Sequence, residues 1–313
     1  MRILITGIHG FVGSNLVEYL AAGNEIYGLD IIAPPKEGVI KTYSWEDLDA
    51  GRIPEVDAII HLAAIAHDVK SRVEEDLFLK VNRDLTIKMA DYYYAHPQIN
   101  KFIFFSTVKA AADKVDGVLT EDVVPAPVGP YGESKLAAEE YLLSKMKEAA
   151  QEEKRVYIFR PCMIHGPGNK GNLNLLYHVV RKGIPWPLGA FENKHTFTSV
   201  ENVCFAVNGV LIEDVPSGIY NLADDEPLST NELIEEICRS LGKRAHIWRL
   251  PKGLMNGAAK LGGWLHLPLN PERLKKLTET YLSSNAKIKK ALGIDQMPIN
   301  ARDGLRRTLE SCK

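Results

Sequence analysis

The chain opens with a short apolar run, Arg2–Thr6, followed by a glycine-rich turn and by Phe11–Ala22, where Phe11, Leu16 and Leu20 recur near helical spacing. Glu25–Asp30 reads as a second strand and Val39–Tyr43 as a weak third. Asp57–Ala63 is apolar on both faces, as a strand buried inside a parallel sheet is. Val81–Tyr94 reads as a helix, Lys101–Phe105 as a strand, Glu133–Ala150 as a long helix and Arg155–Arg160 as a further strand. Strands alternating with helices predict βαβ units and a parallel sheet. The texture changes after Pro161. Glycine and proline cluster from Gly166 to Gly189 around a helical stretch at Leu173–Lys182. Ser229–Leu241 reads as a helix with Ser229 and Glu232 spaced as a capping box. Ala245–Leu250 reads as a strand, and Pro271–Thr278, Asn285–Leu292 and Asn300–Glu310 as short helices. The pattern predicts an α/β fold: a doubly wound parallel sheet with a smaller, mixed, mostly helical C-terminal part. The cleft between them lies at the C-terminal ends of the strands.

Composition removes several alternatives. The 313 residues carry 38 Lys and Arg against 40 Asp and Glu, a net charge of -2, without the basic excess that nucleic-acid binding requires. The longest nearly apolar stretch, Val56–Ala66, contains Asp57 and His61 and is too short to span a bilayer, so no membrane partner is expected. The first thirteen residues are too broken by glycine for a signal-peptide core. Cys162, Cys204, Cys238 and Cys312 are scattered, which fits inert thiols of a cytoplasmic protein. No histidine or cysteine spacing matches a metal site, so no metal is expected.

The turn after the first strand reads Thr6-Gly7-Ile8-His9-Gly10-Phe11-Val12-Gly13. Gly7 suits a tight turn, Gly10 a close backbone approach to a pyrophosphate, and Gly13 close packing of helix on strand. The phosphates then sit at a helix N-terminus, where unpaired N–H groups and the dipole favour negative charge. The strand–turn–helix context marks this as a dinucleotide fingerprint of the Rossmann type. Asp30 closes the second strand, placed to accept hydrogen bonds from ribose hydroxyls and to repel a 2′-phosphate. The next residues, Ile31, Ile32 and Ala33, supply no arginine, which favours NAD over NADP.

Tyr131 and Lys135 stand one helical turn apart in Tyr131-Gly132-Glu133-Ser134-Lys135. An ammonium beside a phenol favours the phenolate, a proton acceptor suited to oxidising a secondary alcohol. The pair comes after a strand ending in Ser106-Thr107, and Thr107 can bond the same substrate oxygen.

These segments, with His61-Leu62-Ala63-Ala64 and Arg160-Pro161, resemble the extended short-chain dehydrogenase/reductase superfamily, in particular its NAD-dependent nucleotide-sugar epimerase/dehydratase branch. The match runs in order from residue 1 to about 205. The resemblance implies an NAD-binding domain over 1–168, with 195–220 returning to it, and a nucleotide-sugar domain over 169–194 and 221–313. It implies that Thr107, Tyr131 and Lys135 are catalytic. Gly7, Gly10, Phe11, Val12, Gly13, Asp30, Ile31, Leu62, Ala63, Ala64, Asn82, Tyr131, Lys135, Pro161 and Met163 are then the cofactor-binding residues. Lys109, Asn172, the backbone of Leu173 and His195 fall on the substrate side, and Trp186-Pro187-Leu188 matches the stretch near the nucleotide base. A UDP-sugar is the implied substrate, and a homodimer the implied assembly.

The branch's 4,6-dehydratases carry an Asp-Glu pair after the catalytic threonine, where this chain has Val108 and Lys109; that disfavours elimination of water. His195 stands where the branch usually has an arginine gripping the diphosphate, and Lys194 or Arg273 are candidates to compensate. Two enzymatic readings stay open. One is a 4-epimerase of a UDP-hexose or UDP-N-acetylhexosamine. The other is an NAD(P)H-dependent reductase of a UDP-4-keto-6-deoxy-N-acetylhexosamine, of the kind that makes surface polysaccharide precursors. A non-enzymatic dinucleotide sensor is a third, disfavoured by the presence of both Tyr131 and Lys135. Trp186, Trp248 and Trp264 are expected to pack within the C-terminal part, and Lys145, Lys147 and Lys154 to form a solvated face.

Overall fold

The computed structural model describes residues 1–65, 75–148, 153–169, 171–264 and 270–312. Seven strands form the central sheet: β1 (Arg2–Thr6), β2 (Glu25–Leu29), β3 (Lys41–Tyr43), β4 (Ala58–His61), β5 (Lys101–Phe105), β7 (Arg155–Pro161) and β10 (Gly218–Leu222). Their order is β10-β7-β5-β4-β1-β2-β3, and every neighbouring pair is parallel. Two small ladders lie outside it: β6 (Val118–Leu119) with β11 (Leu282–Ser283), and β8 (Met163–His165) with β9 (Phe197–Ser199).

The central strands are mostly apolar on both faces because helices cover both sides of the sheet. Ile3 and Ile5 of β1 face α1 (Phe11–Leu20) and α8 (Val200–Ile212), joining Leu16, Val17, Val203 and Val207 in one buried layer. Leu4, between them, points the other way, into a layer with Met89 and Tyr93 of α4 (Leu85–Ala95) and Ala138 and Leu142 of α6 (Pro130–Glu148). Three short helices, α2 (Trp45–Asp49), α3 (Glu75–Phe78) and α5 (Val108–Ala111), fill the connections. A π-helical turn, Leu79–Asp84, runs directly into α4, so the helix expected over Val81–Tyr94 begins with a widened turn. Lys154 does not join a solvated face: its ammonium donates to the carbonyls of Tyr93, His96 and Ile99 at 2.8–3.1 Å and closes the end of α4.

The C-terminal part packs α7 (Asn172–Arg181), α9 (Thr230–Ser240) and α13 (Ala301–Ser311) around Tyr177, Ile237 and Leu305. The Ser229/Glu232 capping box of α9 is formed. Helices α10 (Lys252–Trp264), α11 (Pro271–Thr278) and α12 (Ala286–Ala291) complete the chain. The strand expected at Ala245–Leu250 is absent. Ile247 and Arg249 make isolated bridges to Trp186 and Leu188, too few to build a ladder. Helix α10 was not expected from the sequence, because Gly253, Gly257, Gly262 and Gly263 lower its helical propensity.

Asp224, just past β10 and almost fully buried, joins the two halves. Its carboxylate accepts from the Ser199 amide at 2.9 Å, the Ser199 hydroxyl at 2.7 Å and the Asn202 amide at 2.7 Å. His165 lies 3.7 Å from it and shares a hydrogen bond with Thr308 of α13 at 2.9 Å. Helix α13 approaches so closely at Gly304 that a Cβ there meets the Ser199 hydroxyl at 2.1 Å. Gly304→Ala is therefore expected to lower the unfolding free energy by about 1–3 kcal/mol, the usual cost of overpacking. A denaturant titration measures this, and an unchanged midpoint contradicts the assigned packing.

Candidate active site

The strands of the parallel sheet end on one side, where the segments after β1, β2, β4 and β5 carry the glycine loop, Asp30 and Ile31, Leu62 to Ala64, and Thr107. Gly7 adopts φ +67°, open to glycine at little cost. A Cβ on Gly13 lies 2.6 Å from the Gly7 carbonyl, and one on Gly10 lies 3.1 Å from the same oxygen. Gly10 is the N-cap of α1, and neither a capping side chain nor an acidic residue in the first turn occupies that end. The amides of Phe11 and Val12 thus open a helix N-terminus shaped for an anion. The Asp30 carboxylate turns back toward this loop, accepting from the His9 amide at 3.1 Å and the Ile31 amide at 2.7 Å. An acid at the end of β2 beside an uncapped glycine cradle fits the ribose and pyrophosphate of a dinucleotide. Phe11 also meets the loop after β8: Gly166 and Gly168 lie against its ring, and Asn15 donates to the Pro167 carbonyl at 3.2 Å.

The next wall is held by a buried relay. The Thr6 hydroxyl accepts from the amides of Leu62 and Ala63 at 3.1 and 3.0 Å and contacts His61 Nδ1 at 2.7 Å. His61 Nε2 meets Thr86, whose hydroxyl donates to the Asn82 carbonyl at 2.7 Å. Burial first, then the Lys135 charge, push His61 down to about 3, so the ring is neutral. With both Thr6 acceptor sites used, Thr6 donates to Nδ1 and the ring carries its proton on Nε2. Asn82 accepts from the Ile65 amide at 2.8 Å and donates to Ser134 at 3.0 Å. It fastens the loop after β4, with Leu62, Ala63 and Ala64, to α6.

Thr107 lies just past β5 and N-caps α5; Tyr131 opens α6. The two side chains hydrogen-bond each other. Lys135 is buried one turn along, its ammonium 2.7 Å from the Phe105 carbonyl and 4.8 Å above the Phe104 ring. The one-turn spacing led us to expect that Lys135 pulls the phenol's pKa down. In this structure burial raises Tyr131, against the lowering Thr107 bond, and burial pushes Lys135 itself down to about 7, against the pull of Glu139. Both groups have lost water, and desolvation is the largest cause of each shift.

Glu139 went unremarked in the sequence. It lies one turn beyond Lys135, fully buried, and pairs with Arg160 of β7, whose Nε is 2.9 Å from Oε1 and whose Nη2 contacts Oε2. Ser106 donates to the same carboxylate. Tyr131, Lys135 and Glu139 thus form one stripe at i, i+4 and i+8, a spacing that could have flagged Glu139.

Of the residues expected to face the substrate, Lys109 bonds the Asp113 carbonyl at 3.1 Å, pairs with its carboxylate at 3.2 Å, and lies 4.9 Å over the Tyr281 ring. His195 is half-buried between Leu228 and Tyr281. Burial lowers its pKa first; Glu279 opposes and Lys109 adds to the lowering. Lys109, Tyr281 and His195 therefore form one wall. Leu173 sends its side chain into the core under α7, leaving only its backbone for a ligand. Asn172 opens α7; its side chain, that of Arg273, and all of Lys170 lie outside the described residues. Pro161 ends β7, buried, and Met163 is 47% exposed on β8. Among the described residues no cluster of three or more metal-type ligands occurs.

The match to the family model "NAD dependent epimerase/dehydratase family" spans residues 3–223, and the chain belongs to that family. It is an NAD-dependent enzyme. Among its relatives is the UDP-glucose 4-epimerase of Vibrio cholerae, 30% identical over 269 residues, covering 80% of this chain and 78% of that one. The N-acetyl-alpha-D-glucosaminyl-diphospho-ditrans,octacis-undecaprenol 4-epimerase of Escherichia coli O157:H7 is 27% identical, covering 99% of this chain and 94% of that one. Among solved structures, the UDP-glucuronic acid 4-epimerase of Bacillus cereus in complex with NAD superposes with a TM-score of 0.75 at 19% identity. It covers 100% of this chain and 98% of that chain.

The buried charges make two outcomes measurable. Glu139→Gln leaves the Arg160 guanidinium buried without its counter-ion and is expected to cost about 3–5 kcal/mol of stability, read by denaturant unfolding. For Lys135, the folded pKa of about 7 lies below the ordinary value of 10.5. Between those values the unfolded chain binds the extra proton, so this residue's contribution makes stability rise with pH. Lys135→Met is expected to flatten that rise, and an unchanged pH slope contradicts it.

Proposed function

We propose that this enzyme is a nucleotide-sugar 4-epimerase acting on a UDP-hexose or UDP-N-acetylhexosamine. The observation that carries the reading is the Thr107–Tyr131 hydrogen bond at the end of β5 with Lys135 buried one turn below. NAD, when bound, accepts and returns the hydride. Tyr131, once ionised against the burial that raises its pKa, takes the proton from the sugar C4 hydroxyl as C4 becomes a ketone, and Thr107 donates a hydrogen bond to that oxygen. Lys135, in its protonated form, favours that ionisation. After the keto sugar turns its other face, Tyr131 gives the proton back. The two residues after Thr107 support the reading. Val108 is packed into the core and Lys109 is engaged by Asp113, so no acid–base pair stands there to expel water. Further support comes from the relatives, whose names place epimerisation at C4 of sugars carried on a diphosphate. The wall of Lys109 and His195 is suited to that diphosphate if the Lys109 ammonium exchanges its Asp113 partner for a ligand phosphate, supplying charge that His195, its pKa lowered by burial, lacks.

The 4-keto reductase reading uses the same residues in half the cycle. Denaturing the purified enzyme and assaying the released NAD separates the two. Stoichiometric NAD, with UDP-glucose or UDP-N-acetylglucosamine converted to its 4-epimer without added cofactor, is the expected result. NADH consumption that requires a keto sugar favours the reductase. Tyr131→Phe is expected to lower kcat by about 10²–10⁴-fold, the usual worth of a general acid–base group, with NAD content retained. Near-normal turnover by that variant contradicts the assignment.

A further inference from the structure

Helix α10 has two apolar faces. Met255 and Ala259 are buried against Leu188 and Leu274, which fixes the helix on the substrate-side lobe. Leu254, Leu261 and Trp264 point away from that contact and are 60%, 56% and 77% exposed. The spacing of 254, 258 and 261 puts Leu254, the exposed Ala258 and Leu261 on one outward stripe, with Trp264 beside it. Just before the helix, Trp248 is 53% exposed. Neither Trp248 nor Trp264 packs into the interior as expected from the sequence.

The charge around this stripe is one-sided. Between Glu236 and Glu272 the chain has no acidic residue and six basic ones: Arg239, Lys243, Arg244, Arg249, Lys252 and Lys260. This lies within a chain whose net charge is -2. Arg239 is paired with Glu236; the other five are exposed, with Lys243 donating to the Arg181 carbonyl at 2.7 Å and Lys252 lying 5.7 Å over the Phe191 ring beside the inner contact. The same segment borders a groove of about 260 Å³ lined by Val180, Ile184 and Ile234 together with Lys243, Arg244 and His246. Among the described residues no helix is long and apolar enough to cross a membrane. An exposed apolar stripe flanked by lysines and interfacial tryptophans is instead the composition of a helix that lies on a bilayer.

We propose that the outer face of α10, with Trp248 and the Lys243–Lys260 basic residues, docks on an anionic lipid surface. The apolar stripe enters the headgroup boundary while the lysines and arginines meet lipid phosphates. A second copy of the chain is the less favourable occupant. A two-fold contact through this face sets the basic residues of one copy against the same basic face of the other, with no acid in the segment to pair them. The inner face of α10 holds Leu188, next to Trp186 and Pro187, so docking sets one wall of the substrate-side lobe at the bilayer. This contradicts the sequence-based expectation of no membrane partner, which rested only on the lack of a spanning segment.

The test is co-sedimentation of the full chain with vesicles of phosphatidylcholine alone and of phosphatidylcholine with an equal share of phosphatidylglycerol. It reads binding without turnover, so its outcome is independent of the reaction proposed above. Binding to the anionic vesicles, weakened by salt and much lower on neutral ones, is expected. Each of Lys252→Glu and Lys260→Glu should weaken it by about fivefold or more. Leu261→Asp with Trp264→Asp should abolish it, with the melting temperature unchanged because these side chains are exposed. No binding to anionic vesicles, or equal binding to neutral ones, overturns the proposal. So does self-association, or capture of an acidic protein, that the same substitutions abolish while vesicles are ignored.

Discussion

The Glu139 carboxylate, buried between the Arg160 guanidinium and the Ser106 hydroxyl, sets where helix α6 lies on the sheet. Arg160 belongs to β7 and Ser106 lies just past β5, so one side chain ties the helix to two adjacent strands. An ion pair removed from water is held only if its geometry is satisfied, and breaking it by loss of one partner is costly. Sliding or turning α6 therefore carries a large penalty. Lys135 and Tyr131 occupy the same stripe of that helix, one and two turns away. The pair thereby helps hold the phenol beside Thr107, together with the Lys135 bond to the Phe105 carbonyl and the Asn82 bond to Ser134.

The rest of the fold converges on that point. Parallel strands bring their C-terminal ends to one edge, so the glycine loop, Asp30, the loop after β4 and Thr107 become neighbours although they are distant in sequence. The Thr6–His61–Thr86–Asn82 relay keeps the middle of this edge rigid and ends at Ser134, again on α6. The second half is clamped at Asp224, where β10, α8 and, through His165 and Thr308, α13 meet. The two halves are joined further where Tyr281 donates to the Ala112 carbonyl and where β6 pairs with β11.

Much of this was legible in the sequence because it is local. The glycine loop declares itself by spacing within a strand–turn–helix run, and Tyr131 and Lys135 by one helical turn. The long apolar runs of β1, β4, β5 and β7 identify strands covered on both faces. What stayed hidden depended on partners far along the chain. Glu139 looks like any helical glutamate until Arg160 is placed beside it. Lys154 looks solvated until the end of α4 folds over it. The pKa order of Tyr131 and Lys135 is set by burial, which spacing does not report. Helix α10 was obscured by its four glycines, and it holds its place through Met255 and Ala259 packing on Leu188 and Leu274.

The central claim is that Tyr131 serves a reversible oxidation at C4 of a sugar, with the hydrogen of that carbon carried away and returned within one turnover. Tracing a substrate deuterated at C4 through conversion in ordinary water, by mass spectrometry or nuclear magnetic resonance, tests it most directly. Epimer that retains deuterium at C4 is the predicted result. Epimer that has exchanged C4 deuterium for solvent hydrogen would show that the carbon loses a proton rather than a hydride, and would contradict the account.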